Sequence, residues 1–147
     1  MKIKPWFKYL ISITLIISLI VLREYVEKLL LASYYRFVYP EMYYYIVISI
    51  LLGLCIGLFL GLEHLFRECE KEGIWKINLP KLILVGLPSL YFSLSNIWVL
   101  SGNQFMREII AYPLHYLLKY GLGYVSLFQI VFGYVVITSF YKFSEKI

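Results

Sequence analysis

Four apolar segments, each about long enough to cross a lipid bilayer, constrain this chain more than any other feature. They are residues 6–22, 43–62, 82–100 and 122–141. A membrane-spanning helix needs about 20 mostly apolar residues, because the hydrocarbon core is about 30 Å thick and each helical residue rises about 1.5 Å. The last three segments contain no charged residue, and the first contains only Lys8. The pattern predicts an all-α integral membrane bundle of four transmembrane helices.

The composition leaves little of the chain for anything outside these helices. Hydrophobic residues make up 61% of the sequence and charged residues only 16%, against about 25% charged in a soluble domain. We therefore expect a single domain over residues 1–147. The net charge of +5 comes from basic residues scattered at segment ends. They form no basic patch, so we expect no nucleic-acid partner.

Lysine and arginine residues predict how the bundle is oriented, because they are enriched in cytoplasmic connections. Nine lie at the N-terminus, within residues 63–81 and at the C-terminus, and five lie within 23–42 and 101–121. The bias predicts a multi-pass protein of the cell membrane with both termini cytoplasmic. A cleaved signal peptide is the alternative for the first segment. No small-x-small cleavage site follows it, so we interpret it as an uncleaved anchor.

Several residues predict where helices begin, end or bend. Gly73 is expected to stop the second helix after Glu72, and Asn78 to cap the third. Pro88 should kink the third span, because it removes one backbone hydrogen bond. The ion pairs Arg23–Glu27 and Glu24–Lys28 are expected on a first helix that continues past the membrane edge. In the connection 101–121, Asn103 is expected to cap, and Pro113 to interrupt, a short extracytoplasmic interfacial helix between helices 3 and 4.

A stripe of small residues runs along the second helix. Ser49, Gly53, Gly57 and Gly61 follow one another at intervals of four, so they share one helix face. Small residues at this spacing let a second helix approach closely in lipid. We favour packing inside the bundle over a homo-oligomer interface, because one chain already supplies partner helices.

The third and fourth helices carry uncharged polar stripes. The first contains Gly86, Ser89, Ser93 and Asn96, and the second contains Ser126, Gln129 and Gly133. These helices run in opposite directions, so Asn96 and Gln129 should lie at similar depth and face each other or a wet cavity. A structural hydrogen-bond set is the interpretation we favour. The alternative is an outward-facing pocket for a neutral or zwitterionic ligand, lined by Ser89, Ser93, Asn96, Ser126 and Gln129.

Tyrosines are concentrated in the predicted outer segments. Tyr112, Tyr116, Tyr120 and Tyr124 are spaced by four and form a stripe if the helical phase continues. An aromatic belt at headgroup depth is the interpretation we favour. The alternative is a platform that stacks on a sugar or a lipid headgroup.

Residue types that carry catalysis or bind metals are sparse. His64 and Glu68 are four apart on one helix, but a metal site needs three or four converging ligands, and His115 is predicted on the opposite side. The sequence contains no Asp, which excludes a Ser–His–Asp triad, and its helical glycines form no phosphate-binding loop. We therefore expect no metal, no cofactor and no enzymatic activity.

Two functional hypotheses follow. The first is a non-enzymatic structural or accessory component of the lipid bilayer that packs against itself or a larger membrane-protein partner. The alternative is a small uncoupled transporter, channel or lipid flippase with an outward-facing polar pocket. No predicted span contains an acidic residue, so proton coupling through a membrane-embedded carboxylate is not expected. A water-accessible cavity at Asn96 and Gln129 would favour the alternative.

Overall fold

The computed structural model describes residues 5–36, 39–119 and 123–143, and these are mostly helical. The helices are α1 (Pro5–Tyr35), α2 (Tyr39–Glu70), α3 (Leu79–Lys81), α4 (Leu87–Ser93), α5 (Ser95–Val99), α6 (Tyr112–Leu118) and α7 (Gly123–Thr138). Two π-helical turns are Leu82–Gly86 and Met106–Ile110, and two strands are β1 (Ile74–Ile77) and β2 (Phe140–Phe143). The chain divides into two compact units, Met1–Leu52 and Gly53–Ile147, whose boundary falls within α2.

Within residues 5–36, 39–119 and 123–143, two helices are long and apolar enough to cross a membrane. They are Tyr9–Tyr35 and Pro40–Glu70, whereas the apolar helices Leu79–Ser93 and Gly123–Thr138 are shorter. The capacity to cross a membrane is defined here by length and composition alone. A core helix of a soluble protein or an N-terminal signal sequence can have the same length and composition. The described chain therefore contains two of the four predicted spans as continuous helices of sufficient length.

The first unit holds α1 and the beginning of α2. Almost every apolar side chain between Trp6 and Leu22 is exposed, and buried side chains begin at Arg23. Arg23 Nε lies 3.0 Å from Glu27 Oε1, and Lys28 Nζ lies 3.0 Å from Glu24 Oε1. Both predicted ion pairs on the α1 surface are thus confirmed. The Arg23 pair is sheltered, whereas the Lys28 pair is open to solvent.

The third apolar segment is not one regular helix. Asn78 Oδ1 accepts a hydrogen bond from the Lys81 backbone N–H at 3.1 Å, which confirms the predicted cap. Residues Leu82–Gly86 form a π turn directly before Pro88. Proline has no backbone N–H to donate to the carbonyl oxygen one turn earlier, so the helical hydrogen-bond pattern changes there. A second break follows at Leu94, where φ is −91° and ψ is 8°.

A two-stranded antiparallel sheet is the element that the sequence did not predict. Ile74 pairs with Phe143 and Ile77 pairs with Phe140. Both strands are rich in β-branched and aromatic residues, which favour extended backbone. Gly73 adopts a φ of 143° between α2 and β1, and α2 ends at Glu70 rather than Glu72. The predicted fourth span also ends early, because its last two residues belong to β2.

Helix α7 is the centre of the second unit. Lys81 contacts Thr138 at the end of α7, and Ser93 contacts Gln129 near its middle. The segment from α3 to α4 therefore runs antiparallel to α7, as the sequence predicted for the third and fourth helices. The contacts of α2 follow the same order along both segments. Gly57 contacts Ile130, Gly61 contacts Ile137 and His64 contacts Phe140. The end of α2 therefore runs parallel to α7 and β2.

The predicted interfacial helix is divided into a π turn and a short α-helix. Asn103 Oδ1 accepts from the Phe105 backbone N–H at 3.0 Å. The chain then forms the π turn Met106–Ile110 and, after buried Ala111, helix α6 with Pro113 in its first turn. Proline fits a first turn because the N–H there has no helical partner. Pro113 therefore begins a second helix here.

Candidate functional site

Gly57 of α2 and Gly133 of α7 lie in backbone contact. A Cβ atom added to Gly57 would lie 2.8 Å from Tyr134 N and 3.0 Å from Gly133 Cα, and would overlap Ile130 O. A Cβ atom added to Gly133 would overlap Leu54 O and lie 3.2 Å from Gly57 Cα. Neither position has room for any side chain. The two helices touch through their backbones here, the geometry that small residues permit.

The other members of the small-residue stripe occupy different surroundings. A Cβ atom added to Gly61 would overlap Ile137 Cγ2, which is the end of a side chain rather than backbone. Gly53 is buried in the second unit, and Ser49 is buried in the first unit with 5% of its surface exposed. Of Gly57 and Gly61, Gly57 is therefore the one that meets the backbone of α7.

The polar residues of the predicted pocket lie along the packing of α4 and α7. Gln129 is 1% exposed, and its Nε2 donates to the Ser93 carbonyl oxygen at 3.2 Å. Ser93 Oγ donates to Leu90 O at 2.8 Å, and Ser89 Oγ donates to Val85 O at 2.6 Å. Both serine hydroxyls thus bond to the backbone of their own helical segment. Asn96 and Ser126 are half-buried.

Two buried donors lie just beyond this contact, on α5. Ser95 is 2% exposed, and within the described part of the chain neither its Oγ nor Trp98 Nε1 has a hydrogen-bond partner. Leaving a buried donor unpaired costs about 1–3 kcal/mol. Sequence reasoning missed both residues, because it followed the stripe through Asn96. The break at Leu94 rotates α5 relative to α4, and no sequence signal marks that rotation.

His64 and Glu68 bind the free edge of β2. The Lys142 backbone N–H donates to Glu68 Oε2 at 2.9 Å, and His64 Nε2 lies 3.3 Å from the Phe140 carbonyl oxygen. A carbonyl oxygen only accepts, so His64 Nε2 carries the proton in this contact. Residues four apart on a helix are separated by about 6 Å, and residues two apart on a strand by about 6.8 Å. The two side chains therefore match alternate residues of the strand.

The register of the sheet explains why these β2 groups are available. Asn78 N donates to Ser139 O at 2.8 Å, which places Ser139 at a hydrogen-bonded position opposite β1. Antiparallel pairs alternate between bonded and non-bonded positions. The backbone groups of Phe140 and Lys142 consequently point away from β1, toward α2. Glu68 and His64 satisfy an edge that would otherwise be open.

Glu68 and Lys142 also close the end of α2. Glu68 is 5% exposed and accepts from Lys71 Nζ at 2.5 Å. Lys142 Nζ donates to the carbonyl oxygens of Cys69 and Lys71, at 3.0 Å and 2.7 Å. These carbonyls belong to the helix end, where cations are favourable. Hydrogen bonds from the Lys71 ammonium and the Lys142 backbone lower the pKa of the Glu68 carboxyl below its ordinary value.

Lys81 makes the corresponding contact at the end of α7. Its Nζ donates to Thr138 Oγ1 at 2.7 Å and to Thr138 O at 3.4 Å. Thr138 Oγ1 in turn donates to Tyr134 O at 2.7 Å. A lysine from outside each helix thus holds the carbonyl ends of both α2 and α7.

The tyrosine stripe falls on two different helices. Tyr112 and Tyr116 of α6 are exposed, with ring centroids 6.2 Å apart and an interplanar angle of 79°. Tyr124 is exposed on α7, and Tyr120 lies outside the described residues. The two α6 rings therefore form an edge-to-face pair at the surface.

Within the described residues, no three His, Cys, Asp or Glu side chains gather as metal ligands. Cys55 and Cys69 are both free, exposed and on α2. The geometry of His64 and Glu68 instead directs both side chains to the backbone of β2.

No protein family, curated protein or solved structure significantly matches this chain. The functional proposal therefore rests on the residues described above.

Proposed function

We propose that this chain is a non-enzymatic structural or accessory component of the cell membrane, a four-span bundle with both termini cytoplasmic. It packs against itself or against a larger membrane-protein partner. The observation that carries the proposal is the Gly57–Gly133 contact, together with polar groups that are bonded to backbone rather than directed at a shared pocket.

The relative directions of the elements in the second unit support four spans. The end of α2 and the α7–β2 segment run parallel, whereas the α3–α4 segment runs antiparallel to α7. If α2 crosses the bilayer, the chain must return before α7 can cross in the same direction. The return falls to the segment from α3 to α5. This order leaves β1 and β2 together on the side where α2 ends, which the lysine and arginine bias predicts to be cytoplasmic.

The exposed surface of α1 supports a bilayer and partner role. From Trp6, which is 86% exposed, to Leu22, which is 49% exposed, its apolar side chains face away from the rest of the unit. An apolar surface of this extent is stable in lipid or against another membrane helix, and is a liability in water. α1 therefore presents an apolar surface that lipid, a second copy or a partner helix can cover.

Cysteine labelling in intact cells tests the topology. With Cys55 and Cys69 replaced by serine, Gly102→Cys should react with a membrane-impermeant maleimide, because Gly102 is exposed with nothing near its Cα. Lys76→Cys, also at an exposed position, should react only after permeabilisation. Labelling of Lys76→Cys in intact cells would overturn the orientation. Release of the protein from membranes by alkaline carbonate would overturn the membrane assignment itself.

The alternative is the small transporter, channel or flippase, and the unpaired donors of Ser95 and Trp98 favour it. A ligand that offers acceptor oxygens would satisfy both, beside half-buried Asn96. Asn96→Leu and Trp98→Phe distinguish the two functions. If the protein is structural, both variants give the same solute or lipid flux across reconstituted vesicles as the wild type. In a pocket each abolishes that flux while the folded protein remains.

A further inference from the structure

We propose that the face of the β1–β2 sheet formed by Ile74, Lys76 and Phe143 binds an anionic phospholipid headgroup. This inference rests on the proposed membrane location and adds the lipid class that the surface selects. Opposed residues of an antiparallel pair share a face, and the register pairs Ile74 with Phe143 and Lys76 with Tyr141. The face therefore carries one cation, Lys76, among the large side chains of Ile74, Phe143 and Tyr141.

The apolar side chains of this face are exposed to an unusual degree. Ile74 is 75% exposed and Phe143 is 42% exposed. Isolated two-stranded sheets are marginally stable in water, and exposed apolar strands are an aggregation hazard there. The same side chains are stable among glycerol and acyl groups at a membrane surface, where amphipathic residues concentrate. The sheet directly follows α2, a helix long and apolar enough to cross a bilayer.

The charge of the sheet selects an anionic partner. Strands β1 and β2 contain Lys76 and Lys142 and no acidic residue. Lys76 Nζ lies 3.9 Å from the centroid of the Phe143 ring. A ring leaves the ammonium charge uncompensated, so a phosphate can still bind it. Lys142 points to the other face, over Trp75, and its Nζ is held by two backbone carbonyls. Lys76 is therefore the residue on which specificity depends.

The test uses the full chain in a neutral detergent and native mass spectrometry with added lipid. Phosphatidylglycerol should bind in preference to phosphatidylcholine with the same acyl chains. Lys76→Gln should weaken phosphatidylglycerol binding about fivefold, the usual effect of one lysine at an anionic surface. Lys76→Arg should keep it. Lys119→Gln removes an exposed cation elsewhere and should change nothing.

Three results would overturn the lipid site. One is equal retention of the two lipids, and another is equal retention of phosphatidylglycerol by Lys76→Gln and wild type. The third is displacement of the lipid by millimolar glycerol phosphate, which would identify a site for a soluble phosphate. In each case a protein that still requires detergent leaves the proposed membrane function standing. A chain that is soluble without detergent would overturn both proposals.

Discussion

The carboxylate of Glu68, on the second helix, accepts a hydrogen bond from the backbone N–H of Lys142, 74 positions later in the chain. One side chain thereby joins a helix end to the edge of a strand. The Lys142 ammonium returns to the same helix end and binds its carbonyl oxygens. Because each residue satisfies polar groups of the other's element, substitution of either should loosen both.

Acid should weaken this junction. Hydrogen bonds lower the Glu68 pKa in the folded protein below the ordinary value of 4.5, so the unfolded chain takes up the proton more readily. The stabilising contribution is complete above pH 4.5 and is lost as pH falls toward the folded pKa. Thermal unfolding in detergent as a function of pH measures it. Glu68→Gln should lower the melting temperature at pH 7 and flatten its decline below pH 4.5, whereas exposed Glu63→Gln should do neither.

Enlarging Gly57 should destabilise the fold. Gly57→Leu would force the backbones of α2 and α7 apart, because a Cβ atom already overlaps Ile130 O. Overpacking of this kind costs about 1–3 kcal/mol. Gly102→Ala is the matched control, because a Cβ there meets nothing within 4 Å. Equal unfolding temperatures for Gly57→Leu and wild type would contradict the contact.

Removing the Gln129 amide should have a small effect. Gln129→Leu loses the hydrogen bond to Ser93 O and puts an apolar side chain of similar length in its place. Interhelical hydrogen bonds in membranes contribute about 0.6 kcal/mol on average, and we expect a loss below about 2 kcal/mol. Asn96→Leu should fall in the same range. Reversible unfolding in mixed micelles measures both. A loss clearly above about 2 kcal/mol for Gln129→Leu would contradict this prediction.

Thr138→Val should separate the lysine contact from an ordinary helical hydroxyl bond. Thr138 Oγ1 accepts from Lys81 Nζ and donates to Tyr134 O. Thr14 is the matched control, because its Oγ1 makes the same bond to Leu10 O four residues earlier. We expect Thr138→Val to cost about 1 kcal/mol more than Thr14→Val. Indistinguishable costs would show that the Lys81 contact contributes nothing to stability.

The sequence predicted features that depend on local chemistry. The Asn78 cap and the α1 ion pairs follow from spacing within one helix turn, and the structure contains them. The opposite directions of the third and fourth helices follow from their prediction as consecutive membrane spans. Apolar length predicted four helices of similar length, but among the described residues only α1 and α2 are long enough to cross a membrane.

The remaining features depend on pairing between distant parts of the chain. β1 is extended because it pairs with β2. Four mostly apolar and aromatic residues after a helix do not by themselves predict a strand. For the same reason the spacing of His64 and Glu68 predicts nothing sharper than two ligands of an incomplete metal site. Their partners are backbone atoms of Phe140 and Lys142, and backbone partners leave no trace in residue type.

The separation of β1 and β2 along the chain sets the order in which the second unit can be completed. A ribosome makes α2 and β1 long before it makes residues 140–143. During that interval β1 has no strand partner, and Glu68 has only Lys71 of its folded-state donors. Contacts that span so many residues form late, because the intervening chain must first be ordered. Pairing of β2 with β1 is therefore a late step in folding of the second unit, and it also closes the end of α2.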